Sequence, residues 1–152
     1  MLEVGSQAPD FTAMLASGER FTLSDHRGRN VVVFFYPRAF TGGCTAEVGG
    51  FCESYGDFVA GNAVVVGIST DGVDRLRRFG DATGAKFGLA SDKGGKIRRL
   101  YDVRRRFGLG ALGTSRVTYV IDGDGVIRGA FHDEIRMSSH VQNALRTLEE
   151  LT

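Results

Sequence analysis

The sequence predicts an α/β fold: a mixed central β-sheet with helices on both faces and an N-terminal β-hairpin. Three observations predict it. Residues 31–36 and 63–69 are unbroken apolar runs with the length and β-branched content of strands buried on both faces. Between them Cys44, Val48, Phe51, Cys52, Tyr55, Phe58 and Val59 recur at three- and four-residue steps, the period of an amphipathic helix. Near the other end, two strand-like runs flank Asp122-Gly123-Asp124-Gly125, a composition that favours a tight antiparallel turn.

In chain order, residues 11–23 carry two short alternating runs around Ser17-Gly18 and read as the hairpin, placed at a sheet edge. Ser24 to Gly28 suggests a capped short helix or turn that delivers the chain into the 31–36 strand. Pro37 ends that strand, because proline cannot donate to a ladder. One helix is expected from Cys44 to about Ala60, stopping at Gly61-Asn62. With the 63–69 strand it makes a right-handed crossover between parallel strands. Residues 71–83, with Val73, Leu76 and Phe79 at three-residue steps, give a second crossover helix. A short strand at 87–91 follows, then a short helix at 93–101 with Ile97, Leu100 and Tyr101 inward and Arg98 and Arg99 outward. Residues 104–113 read as an irregular loop. The strands 115–121 and 126–131 form the second hairpin, and 138–151 closes the chain as a helix with Val141, Leu145, Leu148 and Leu151 on one face.

A chain of 152 residues suits one domain, residues 1–152, and no linker composition interrupts it. Its 19 Lys plus Arg against 18 Asp plus Glu leave a net charge of +1, which gives no global field for nucleic acid or a membrane surface. The N-terminus lacks a basic start followed by an apolar stretch, and no apolar run approaches the ~20 residues of a membrane span, so a cytoplasmic protein is expected. Two cysteines cannot make a disulfide scaffold and lack the company of a structural zinc site, which leaves a catalytic or a buried role.

Cys44 falls in the first turn of its predicted helix, where unpaired amides and the helix dipole favour an anion such as a thiolate. Other motifs read blandly. Gly108 to Gly113 spells G-x-G-x-x-G, yet it follows a basic run and precedes a strand, the wrong setting for a dinucleotide. The Asp122 turn has Val126 and Asp133 at the fifth and twelfth positions of a calcium loop, where an oxygen ligand and a glutamate are expected, and reads as a hairpin turn. Arg104 to Arg106 read as a solvated charge run, and His26, His132 and His140 show no ligand spacing, so no metal is expected.

Pro37, Thr41 and Cys44 form P-x-x-x-T-x-x-C, and here the chain resembles the peroxiredoxins, most closely the bacterioferritin-comigratory or Q-type branch. The resemblance extends from APDF at 8–11 through FFYP, CTAE, GISTD at 67–71 and LASD to SRVTYVID at 115–122. It implies a thioredoxin-like fold and a thiol-dependent peroxidase acting on hydrogen peroxide and organic hydroperoxides. Cys44 would be the peroxidatic cysteine. Thr41, the backbone amide near Gly43 and Arg116 would hold the peroxide oxygens, and Pro37 would shape the pocket. Arg116 is expected within the strand, and its role rests on the resemblance alone. No metal or organic cofactor is needed. The recycling reductant would be thioredoxin or a low-molecular-weight thiol, and the assembly a monomer or weak dimer.

The sequence departs from that branch after Cys44. Q-type relatives commonly carry a resolving cysteine five residues on, where this chain has Gly49. The other thiol, Cys52, lies eight residues on, about 12 Å along an intact helix, whereas disulfide-linked Cα atoms are under ~7 Å apart. Gly49 and Gly50 lower the cost of opening the helix. Resolution by Cys52 and a one-cysteine cycle with an external thiol therefore stay open, as do a thioredoxin-fold thiol oxidoreductase and a non-catalytic peroxide sensor.

Overall fold

The computed structural model describes residues 1–104 and 115–151. Its strands are β1 (Thr12–Leu15), β2 (Arg20–Thr22), β3 (Asn30–Phe35), β4 (Ala63–Ser69), β5 (Gly88–Ser91), β6 (Val117–Ile121) and β7 (Ile127–His132). Its helices are α1 (Gly42–Glu53), α2 (Tyr55–Ala60), α3 (Val73–Thr83), α4 (Lys96–Leu100) and α5 (Met137–Glu150), and a 3-10 turn covers Leu23–His26. The strands form one seven-stranded sheet in the order β2-β1-β5-β4-β3-β6-β7. β3, β4 and β5 run parallel, and the remaining pairings are antiparallel. The N-terminal hairpin occupies one edge, as its short alternating runs suggest.

Alternation along β3 divides the interior in two. Val31, Val33 and Phe35 point to one face with Phe11, Ile68, Tyr101 and Tyr119, while Val32 and Phe34 point to the other with Phe51, Phe58, Leu76 and Phe79. Phe34 has a particular task. It lies opposite Gly67 on β4, where an added Cβ would come within 2.6 Å of the Phe34 ring, and it stacks on Phe51 of α1 with centroids 4.3 Å apart. The glycine lets the ring sink into the sheet, and the ring seats the helix that carries Cys44.

Four expectations change. The helix expected from Cys44 to Ala60 is broken at Ser54, which sits at φ −98 and ψ 11 and separates α1 from α2. Glycines stand at 50 and 56, and the interruption is confined to one residue: the Ser54 N–H still donates to the Gly50 carbonyl, and the Ser54 carbonyl accepts from Phe58, each at 3.2 Å. Phe58 stays in phase with Phe51 and packs on it, centroids 5.4 Å apart, while Val59, expected inward, is 48% exposed. Leu100 is 41% exposed, because the five-residue α4 turns only Ile97 inward, with Tyr101 buried just past its end. Arg116 lies before β6 rather than within it. The Asp122 turn is a hairpin turn: Asp122 Oδ1 accepts from the amides of Asp124 and Val126, each at 2.9 Å. Residues 105–113, including the glycine motif and most of the basic run, lie outside the described residues.

Candidate active site

β3 ends at Phe35, and the chain passes through buried Tyr36 and Pro37 into a short loop before α1. Thr41 takes the N-cap position with extended dihedrals, φ −85 and ψ 152. Cys44 is the third residue of the helix, among amides with no intrahelical acceptor. It is wholly buried.

The sulfur faces two donors. Arg116 Nη1 lies 3.1 Å from Cys44 Sγ, and the Arg38 amide points at it from 3.5 Å. Arg116 is itself only 3% exposed, and its backbone N–H donates to Glu134 Oε2 at 2.8 Å, which fixes the entry to β6. Its guanidinium lies against the α1 backbone, where a Cβ on Gly43 would sit 2.6 Å from Nη2. Glycine at 43 therefore lets the arginine reach the sulfur.

Arg116 Nη1 also pairs with Glu47 Oε2 at 3.2 Å. Glu47 is fully buried, and its Oε1 has no hydrogen-bond partner among the described residues. Burial, outweighing the attraction of Arg116, pushes the Glu47 carboxyl up to about 8. An unpartnered buried oxygen fits that neutral form, since a carboxylate there would leave charge unsolvated. Burial opposes the Arg116 charge, yet its pKa is raised, with the hydrogen bond to Cys44 the leading cause in that direction. With Glu47 neutral, the guanidinium charge is left for the sulfur.

Thr41 Oγ1 donates to the Arg38 carbonyl at 3.0 Å and not to the sulfur. Pro37 is buried beneath the loop, and Cys52 is half-buried in the last turn of α1. Both cysteines are free thiols on one continuous helix. The structure thus brings Cys44, Arg116 and Gly43 into one contact set, leaves Thr41 at its rim and holds Cys52 apart.

Glu47, Arg38, Asp71 and Arg75 were not singled out from the sequence. Glu47 stands three residues after Cys44, so helix periodicity alone puts it on the same face. Asp71 and Arg75 join the site through long-range contacts that no local pattern announces. No group of three or more His, Cys, Asp or Glu among the described residues could hold a metal ion, and no helix there is long and apolar enough to cross a membrane.

A cysteine at a helix start, set under an arginine and mounted on a sheet of this topology, has the elements of a thiol-dependent peroxidase of the thioredoxin-like fold. Comparison with known proteins gives the same class. The AhpC/TSA family model matches residues 4–130, and the chain belongs to that family. A putative peroxiredoxin of Mycobacterium tuberculosis is 38% identical over 150 residues, covering 97% of this chain and 95% of that one. The crystal structure of peroxidoxin BcpB from Mycobacterium tuberculosis superposes with a TM-score of 0.91 at 32% identity, covering 100% of this chain and 99% of that chain. A Xanthomonas campestris bacterioferritin comigratory protein, whose structures address its alkyl peroxide reduction activity, gives a TM-score of 0.86 at 27% identity over 99% of this chain and 98% of that one. The protein is a peroxiredoxin of the bacterioferritin-comigratory or Q-type branch, a thiol-dependent peroxidase.

Proposed function

We propose that Cys44 is the peroxidatic residue and attacks hydrogen peroxide or an organic hydroperoxide in line with its O–O bond. The thiolate sulfur bonds to the OH oxygen, the O–O bond breaks, and the leaving alkoxide or hydroxide takes a proton to depart as alcohol or water. Cys44 is left as a sulfenic acid. The observation that carries this reading is the 3.1 Å approach of Arg116 Nη1 to Cys44 Sγ at the start of α1. A guanidinium there stabilises the thiolate and, as the O–O bond stretches, the charge that develops on the oxygens. The Gly43 and Cys44 amides add donors on the same side. Thr41 Oγ1 spends its proton on the Arg38 carbonyl, so its oxygen is free to accept from a peroxide O–H and orient it.

We propose further that an external thiol, thioredoxin or a low-molecular-weight thiol, reduces the sulfenic acid in a monomer or weak dimer. Its sulfur displaces water from Cys44 to give a mixed disulfide, and a second thiol releases the Cys44 thiol. This reading is supported by the continuous helix that keeps the two thiols about 12 Å apart along its axis. One observation favours Cys52 instead: it lies in the last turn of α1, just before the break at Ser54, where fraying costs least. Mass spectrometry after one equivalent of peroxide separates the two. Sulfenic acid on Cys44 beside a free Cys52 thiol supports the external route, and a linked Cys44–Cys52 peptide pair overturns it. Loss of peroxide consumption in Cys44→Ser with the fold retained tests the first step.

A further inference from the structure

We propose that Asp71 and Arg75, at the corner between β4 and α3, are positioning residues that clamp the loop before α1 and so aim the Arg38 amide at the Cys44 sulfur. The proposal rests on Cys44 being the nucleophile. The loop has no strand partner for Ala39, yet both of its backbone groups are satisfied. The Ala39 N–H donates to Asp71 Oδ2 at 2.7 Å, and Arg75 Nη2 donates to the Ala39 carbonyl at 3.1 Å. Asp71 accepts from the Ser69 hydroxyl at 2.8 Å and forms an ion pair with Arg75, whose Nε lies 3.2 Å from Oδ1, and its side chain is 8% exposed.

The next residue is held by the same arginine. Phe40 has φ +65, a left-handed conformation that bulky side chains avoid, and it keeps that conformation while 46% exposed. Its ring is gripped by the Arg75 guanidinium, 5.3 Å from the centroid, and by the edge of Phe79 at 5.2 Å. One arginine thus holds a carbonyl, a ring and a carboxylate together. Two successive amides leave this loop, with that of Ala39 ending on Asp71 and that of Arg38 on Cys44 Sγ. The two peptides meet at the Arg38 Cα, so pinning the first leaves only the φ and ψ of Arg38 to set the direction of the second.

The test uses the full chain in a Cys52→Ser background and compares Arg75→Met, Arg75→Lys and Asp71→Asn. It reads the rate constant with hydrogen peroxide, the pH midpoint of Cys44 alkylation by iodoacetamide, and the thermal unfolding midpoint. Arg75→Met is expected to slow the peroxide reaction roughly tenfold, about 1.4 kcal/mol of barrier, and to raise the alkylation midpoint by about half a unit. Arg75→Lys, which keeps a charged donor, recovers part of both, and Asp71→Asn changes both in the same direction by less. An unchanged midpoint in Arg75→Met overturns the proposal, whether its peroxide rate holds, rises because the pair merely covers the sulfur, or falls in step with thermal stability. Were Cys44 not the nucleophile toward peroxide, the parent would consume none, while the alkylation midpoint would still move in Arg75→Met.

Discussion

Arg116 reaches Cys44 only because residue 43 has no side chain: a Cβ on Gly43 would stand 2.6 Å from Arg116 Nη2 and 3.1 Å from its Cζ. Gly43→Ala must therefore push the guanidinium away from the sulfur, in a helix where alanine is otherwise favoured by about 1 kcal/mol. The expected outcome is a peroxide rate roughly 10- to 100-fold lower, with an unfolding midpoint at or above that of the native chain. Stopped-flow peroxide kinetics beside a thermal melt read both.

Arg116→Lys keeps the charge and loses the rigid guanidinium whose Nη1 serves Cys44 and Glu47 together. Removing a donor preorganised for a developing oxyanion costs about 10²–10³ in rate, so Arg116→Met is expected in that range and Arg116→Lys between it and the native enzyme. Single-turnover oxidation of Cys44 is the measurement.

Glu47→Gln imitates a neutral carboxyl. Burial holds the native group's pKa at about 8 in the folded chain, against an ordinary value near 4.5 when unfolded. Between those values the folded state binds the extra proton, so Glu47 favours folding below the lower value, and that contribution is lost as pH rises through the upper one. The glutamine variant is expected to show a flatter stability profile from about pH 4.5 to 8 and greater stability than the native chain at pH 9. At pH 7 its peroxide rate should stay within about threefold of native. Thermal melts across pH and one rate series check this.

Gly67→Ala drives a methyl group into the Phe34 ring, where the nearest ring carbon lies 2.6 Å from the added atom. Overpacking of this kind costs about 1–3 kcal/mol. Because Phe34 seats α1 through Phe51, the variant is expected to lose stability and also to slow the peroxide step, readable by urea unfolding and by kinetics.

Much of this was legible in the chain itself. The apolar runs of β3 and β4, the hairpin turn at Asp122 and the first-turn position of Cys44 follow from period and turn chemistry. The break at Ser54 did not, since the apolar spacing of Tyr55 and Phe58 continues the α1 pattern across it. Arg116 sits 72 residues from Cys44, a pairing that only the family motif suggested. Asp71 entered only as the end of GISTD and Arg75 not at all, because a backbone group at Ala39 carries no sequence signal for the side chain that satisfies it.

In the mechanism proposed for this chain, Cys44 alone reacts with peroxide. Its most direct test is single-turnover hydrogen peroxide consumption by Cys44→Ser and Cys52→Ser, each trapped with dimedone and mapped by mass spectrometry. The expected result is a sulfenic acid adduct on Cys44 of Cys52→Ser at near-native rate and none on Cys44→Ser. Peroxide consumption at the native rate by Cys44→Ser, or an adduct on its Cys52, would contradict it.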